Sequence, residues 1–263
     1  MPSAREVVNI TSAVIDGMRG ELESGYRTVG IGLAIPGLVR ADDGVVTLAP
    51  HLDWHDEPLG DMLRAATGYD VVAGNDASLG TIAESMRGVG RGIDDLVYLN
   101  GGASGIGGGI IAGGVLLGGT SGYAGEIGHT LVNGAGIPCH CGAVGCLETE
   151  VSRAPLLDAL GVDHTTPELL EPALLERYAA GDPDVVDRQI GFLARALANT
   201  VNVFNPRLIV LGGFLGSLYA AAPDALTGSA ILTVGAAEIA FAALIADPAS
   251  STVVDKAPLS ASL

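Results

Sequence analysis

The chain has 263 residues, 48% of them hydrophobic and 16% charged, a balance that supports a sizeable core and excludes an intrinsically disordered protein. Its 30 acidic residues against 13 basic ones leave a net charge of −17, so this chain by itself is a poor reader of DNA or RNA. The 39 glycines follow no Gly-X-Y period, no run of about 18–20 residues is free of polar interruption, and the start at Met1–Glu6 lacks a secretory pattern, so collagen and a membrane span are excluded and a cytoplasmic setting is expected.

Hydrophobic spacing predicts a helix over 4–24, with Val7, Val8, Ile10, Val14, Ile15 and Met18 at helical intervals. Residues 29–35 read as a buried strand ended by Pro36-Gly37, and 44–48 as a short strand before a loop carrying Trp54, the only tryptophan. Pro58 opens a helix to about Ala66. A strand over 70–73 runs into Gly74-Asn75-Asp76, and a helix follows to about Met86. Beyond the glycine turns at 88–92, strands over 96–100, 106–112 and 115–117 read as an antiparallel meander. Residues 119–146 are Gly-rich and aperiodic, too long for an ordinary connection and therefore functional. Helices dominate from 147, the longest at 182–204. A strand over 207–211 then ends in Gly212-Gly213, and an Ala-rich helix over 234–246 closes the chain. This alternation predicts a two-lobed α/β protein. Residues 1–93 form the N-terminal lobe, to which a C-terminal helix within 232–263 returns, and 94–231 form the C-terminal lobe.

The three cysteines, Cys139, Cys141 and Cys146, fall within eight residues, a poor disulfide framework and a good metal-ligand cluster. With His129 they supply one imidazole and three thiolates, a common closed tetrahedral shell for zinc. The glycines of Cys-x-Cys-Gly-x-x-Gly-Cys let the chain fold tightly around an ion. Three buried free cysteines are the alternative, but glycines at that spacing would be wasted on a core strand. His140 is an alternative fourth ligand, in a sterically awkward place between two others.

The run His129-x9-Cys139-x-Cys141-x4-Cys146, preceded by Gly125-Glu126-Ile127-Gly128 and followed by Glu148, resembles the zinc motif of the ROK family of bacterial repressors, open reading frames and sugar kinases. Ile35-Pro36-Gly37-Leu38-Val39, Gly74-Asn75-Asp76-Ala77, Gly105-Ile106-Gly107-Gly108-Gly109 and the segment 205–213 extend the resemblance almost end to end. It implies an actin-like, ribonuclease H-like ATPase fold with sugar bound between the lobes, a homodimer, and a loop over 129–146 closed on structural zinc. The implied sugar site is Asn75, Asp76, Glu126, His129 and Glu148, with Asp76 the general base wherever the family acts as a kinase. Carboxylates, an amide and an imidazole suit the paired hydrogen bonds of a polyol. The blander alternatives are a helix N-cap for Asn75-Asp76, a solvated loop acid for Glu126, and a helix N-terminal role for Glu148.

The pattern departs from the family's kinases at both phosphate-side turns and again at 225–231, which joins Gly212-Gly213 to the last helix more directly than is usual in the family. Their opening Asp-x-Gly-Gly-Thr turn, which holds nucleotide phosphates, has no counterpart here, so the chain reads as truncated at its N-terminus. Asn100-Gly101-Gly102-Ala103-Ser104-Gly105 replaces the usual Gly-Thr-Gly turn. Ser104, Gly105, Gly107, Gly212 and Gly213 remain as nucleotide-side candidates. The expectation is the sugar-sensing effector region of a ROK transcriptional regulator, with DNA contacted only through a segment outside this chain. The alternative is a hexose kinase using ATP and Mg²⁺. His51 stands where a sugar-contacting asparagine often sits in the family's kinases.

Overall fold

A computed structural model describes residues 1–21, 28–40, 42–181, 184–231 and 238–241. Helix α1 (Ala4–Glu21) starts on a reciprocal cap: Glu6 accepts from the Ser3 N–H and hydroxyl, both at 2.8 Å, while its own N–H donates to the Ser3 hydroxyl at 3.3 Å. Strands β1 (Ile31–Ile35), β2 (Leu38–Val39), β3 (Val46–Ala49) and β4 (Trp54–Glu57) precede α2 (Leu59–Thr67), β5 (Val71–Asn75) and α3 (Asp76–Arg87). β1 runs parallel to β5 from Ile31↔Val71 to Ile35↔Asn75, and β2–β3–β4 form an antiparallel ladder. The loop expected around Trp54 is therefore partly a strand. Trp54 is 4% exposed and donates Nε1–H to the Pro2 carbonyl at 3.0 Å, while His55 and Asp56 face solvent. One inward residue in a charged tetrapeptide gives no readable alternation. Val8, Ile35, Val46, Trp54, Leu63 and Val71 share one core.

The second sheet contains β6 (Leu96–Gly101), β7 (Ile106–Ala112), β8 (Val115–Leu116), β9 (Leu208–Gly213) and β10 (Glu238–Phe241), in the order β10-β9-β6-β7-β8. The expected meander is present in β6–β7–β8, and β9 lies parallel to β6 on its other side. β6 is buried on both faces: Leu96 and Tyr98 join one cluster with Leu208 and Val210, while Val97 and Leu99 join a larger one with Ile209 and Leu211. A strand covered on both faces reads as a continuous apolar run. Helices α4 (Leu147–Glu150), α5 (Arg153–Leu160), α6 (Leu170–Ala179), α7 (Asp184–Phe204), α8 (Phe214–Ala221) and α9 (Pro223–Ile231) follow. They cover the larger cluster through residues such as Leu156, Leu174, Leu197 and Leu218.

The closing helix over 234–246 is corrected at 238–241. These residues are a strand, paired in parallel with β9 from Glu238↔Leu208 to Phe241↔Leu211. Alanine-rich composition favours a helix, but the open edge of β9 and the strand formers Ile239 and Phe241 outweigh it. The described part of 232–263 thus joins the second sheet; residues 232–237 and 242–263 lie outside the described residues. Among the described residues no helix is long and apolar enough to cross a membrane.

α3 continues directly from β5 yet lies on β6 and β7, so it connects the two strand groups. Gly107 permits the approach, since a Cβ there would sit 2.6 Å from the Ala77 methyl. α3 also carries Glu84, 5% exposed, whose Oε2 accepts from the Val89 N–H at 3.2 Å. Burial raises its pKa above the ordinary carboxylate value. A group raised in the fold favours folding below its unfolded pKa, and that contribution is lost as pH rises through the folded value. Glu84→Gln keeps an acceptor for Val89 and removes the buried charge. The expected result is a Tm about 2–4 °C higher at neutral pH, with the difference shrinking on acidification; a lower Tm at neutral pH contradicts it.

Candidate functional site

A cavity of about 610 Å³ lies between the two strand groups, within the roughly 300–1,000 Å³ range of small-molecule sites. One wall carries His51, Asp53 and His55 from the β3–β4 hairpin; the other carries Glu126, His129, His140 and Glu148. Asn75 and Asp76 lie at the β5–α3 junction on the same cavity. All five residues expected to hold sugar are thus brought together from three separate segments.

Asn75 is the N-cap of α3: its Oδ1 accepts from the Ser78 N–H at 3.0 Å and its Nδ2 donates to the Gly37 carbonyl at 3.0 Å. The cap role and the cavity position coexist. Asp76 accepts from the Ala77 N–H at 2.9 Å. Its carboxyl touches solvent in the open cleft, yet the surrounding protein raises its pKa, and the Ala77 amide only partly offsets this. Glu126 is raised for the same reason, with His129 opposing the shift and Glu148 and Asp76 adding to it. Carboxylates in a concave site are acceptors for hydroxyl hydrogen bonds and repel anionic ligands.

His129 ends a 3-10 turn (Ile127–His129) and directs Nδ1 toward Cys139 Sγ at 3.6 Å; Cys141 Sγ and Cys146 Sγ are also 3.6 Å apart. Tetrahedral zinc, with metal–sulfur bonds of ~2.3 Å and metal–nitrogen bonds of ~2.0–2.1 Å, requires ligand separations of roughly 3.5–3.8 Å. The four donor atoms all lie within 4.8 Å of one another, so the set fits such an ion. His140 belongs instead to a group with His129 and Glu148. Burial pushes the Cys139 thiol up to about 12 and also raises Cys146, while the Ala143 amide lowers Cys141. A metal would therefore displace protons as it binds. Gly145 turns the loop at φ +80°, and a Cβ there would overlap the Asn133 carbonyl.

The loop is fixed from outside by contacts that residue pattern did not reveal. Glu150, 1% exposed, accepts from the Ile137 N–H at 2.7 Å and from Arg188 of α7 at 2.5 Å. Arg195, one turn beyond Phe192, donates to the Val132 carbonyl. Both guanidinium groups lie against the Phe192 ring, at 5.0 and 5.4 Å from its centroid. Glu148, two residues before Glu150, has a 9%-exposed side chain with Oε1 3.5 Å from His129 Nδ1 and 3.3 Å from His140 Nδ1.

On the nucleotide side, Asn100, Gly102, Ser104, Gly105 and Gly107 line the same cavity. The Gly102 N–H donates to the Gly105 carbonyl at 2.9 Å, closing that turn on itself. Gly212 and Gly213 are not among the lining residues; they pair with Asn100 and Gly101. The sequence did not single out Asp53 or His55. No local residue pattern marks either, since the single inward residue Trp54 gives β4 no readable alternation.

A sequence model of the ROK family matches residues 3–229. The chain is 34% identical over 224 residues to a glucokinase of Halalkalibacterium halodurans, covering 78% of this chain and 67% of that protein. It is 32% identical over 212 residues to a xylose repressor of Caldicellulosiruptor bescii, covering 73% of this chain and 52% of the repressor. The chain thus spans about half the repressor's length. Among solved structures, a ROK family glucokinase from Streptomyces griseus in complex with glucose and AMPPNP matches with a TM-score of 0.76 at 29% identity, covering 93% of this chain and 85% of that one.

Proposed function

The chain belongs to the ROK family, and from that premise we propose that its cleft binds a neutral monosaccharide as the sugar-sensing effector region of a transcriptional regulator. The observation that carries this reading is the convergence of Asn75, Asp76, Glu126, His129 and Glu148 on one cavity. Among the described residues its lining includes four carboxylates and no lysine or arginine. That charge pattern suits hydroxyl donors and disfavours a sugar phosphate or sugar acid. The Asn100–Gly105 turn, which replaces the Gly-Thr-Gly turn of the family's kinases, supports recognition over phosphoryl transfer. DNA contact, in this reading, belongs to another segment and the working unit is a homodimer. His129, Cys139, Cys141 and Cys146 hold a structural zinc whose chemistry is to fix the loop bearing Glu126, His129 and Glu148.

A second reading, an ATP- and Mg²⁺-dependent hexose kinase, is favoured by Asp76. Its raised carboxyl pKa in the cleft is what a general base for a sugar hydroxyl needs. Ser104, Gly105 and Gly107 would face the nucleotide.

Thermal shift with neutral monosaccharides, their 6-phosphates and ATP–Mg²⁺ tests the proposal. At 100-fold over Kd a ligand stabilises by ≈2.7 kcal/mol, several degrees for a chain of this size. At least one neutral sugar is expected to give that shift without nucleotide. Stabilisation by phosphorylated compounds alone contradicts the assignment, and sugar-dependent ATP turnover selects the kinase reading.

A further inference from the structure

We propose that the Tyr123–Thr47 hydrogen bond is a strut that sets the spacing of the two cleft walls, which makes Tyr123 and Thr47 positioning residues for a site that neither lines. The two hydroxyls are 2.8 Å apart, partly buried, and join positions 76 apart in the chain. Thr47 lies on β3 in the first strand group, four residues before His51. Tyr123 lies beyond β8 of the second sheet, three residues before Glu126. One bond thus ties the segment bearing Glu126 to the segment bearing His51 on the facing wall.

The loop that carries Tyr123 holds it in place. The Ala124 N–H donates to the Gly118 carbonyl at 3.1 Å, closing 118–124 on itself. After Tyr123, Gly125 lies on β7: a Cβ there would sit 3.1 Å from the Gly108 carbonyl oxygen and 3.3 Å from the Gly109 Cα. Before it, Gly122 lies against β2, with the Val39 carbonyl oxygen 3.7 Å from where a Cβ would be. Glu126 therefore follows two anchors, one on its own sheet and one on the opposite strand group. Tyrosine suits the longer reach, because a rigid ring with few torsions ends in a group that both donates and accepts.

Neither Tyr123 nor Thr47 belongs to a hydrophobic cluster, and α3 still connects the two strand groups without them. Loss of one hydroxyl should therefore loosen the walls and leave both cores folded. The consequence for sugar rests on the function proposed above; the strut itself does not.

Hydrogen–deuterium exchange of the sugar-free chain tests the strut, and sugar titration of the zinc-loaded protein tests what it does. Tyr123→Phe and Thr47→Val each delete one hydroxyl and keep most of the side-chain shape. Both are expected to speed exchange of the Ala124, Ile127 and His129 amides and of β3–β4, while β6 and β9 stay protected. Each should weaken binding of the sugar by about 3–10-fold, the net worth of one hydrogen bond. The double variant should be no weaker than either single one, since both remove the same bond. Thr47→Ser, which keeps the hydroxyl, should match wild type in both measurements. Unchanged exchange in both variants overturns the strut. Faster exchange with undiminished affinity, or losses that add in the double variant, overturns the positioning role. Exchange is read without sugar, so a wild type that binds no sugar overturns the sugar assignment and the positioning role together, while the strut is decided on its own.

Discussion

Cys141→Ala is expected to give a folded, zinc-free protein whose sugar affinity is at least ~10-fold lower; Cys141 lines the cavity, so Cys146→Ala, away from the lining, should lower it as well. Wild type should carry one zinc per chain. Cys141 is exposed at the loop tip, so alanine there opens no core cavity. It removes one of four donors, and its partner Cys146 Sγ, 3.6 Å away, loses its bridge through the metal. An imidazole has two nitrogens on opposite sides of its ring. With His129 Nδ1 on the ion, the metal fixes the tautomer and leaves the other nitrogen as a donor toward the cleft. Without it the ring and the 126–148 segment lose their common anchor. The external hold through Glu150, Arg188 and Arg195 keeps the loop attached to α7, so the loss should appear in affinity more than in folding. Elemental analysis with sugar titration decides: undiminished affinity in a zinc-free, folded variant would separate the two sites.

Asp76→Asn is expected to lower any sugar-dependent ATP turnover by roughly 10²–10⁴-fold while changing sugar affinity far less. The amide keeps a carbonyl oxygen to accept from the Ala77 N–H, now at 2.9 Å, so the α3 start is preserved. It cannot take a hydroxyl proton, and the loss therefore falls on the transition state. The raised carboxyl pKa brings the base closer to neutral pH and makes its proton affinity more useful. Turnover near the wild-type rate would remove Asp76 as the base. In a pure regulator, only the modest affinity change is expected.

The four-donor cluster was legible because its chemistry is local: His129, Cys139, Cys141 and Cys146 fall within 18 positions, spaced by glycines that relieve a tight turn. Asn75-Asp76 was legible for the same reason, since a strand, a cap and a helix start are contiguous. β6 and β9 were legible as unbroken apolar runs because both of their faces are buried. The cavity's other wall was not. His55 and Asp53 reach the site only because Trp54 is drawn inward toward Pro2, 52 positions away. Glu150 and Arg188 meet across 38 positions, and nothing local marks either as a loop support. At 238–241, alanine content argued for a helix while the edge of β9 supplied a partner that composition cannot display.

The most direct measurement is calorimetric titration of the zinc-loaded chain with neutral monosaccharides, alongside Glu126→Ala. Glu126 touches solvent in the open cleft, so its truncation leaves the core intact. A hydrogen bond to a charged group is worth ≈1.5–3 kcal/mol, about tenfold or more in affinity. Saturable binding of at least one sugar at one site per chain, weakened by that factor in the variant, is the result expected. No binding across the panel, or equal affinity in both proteins, would contradict a sugar site in this cleft.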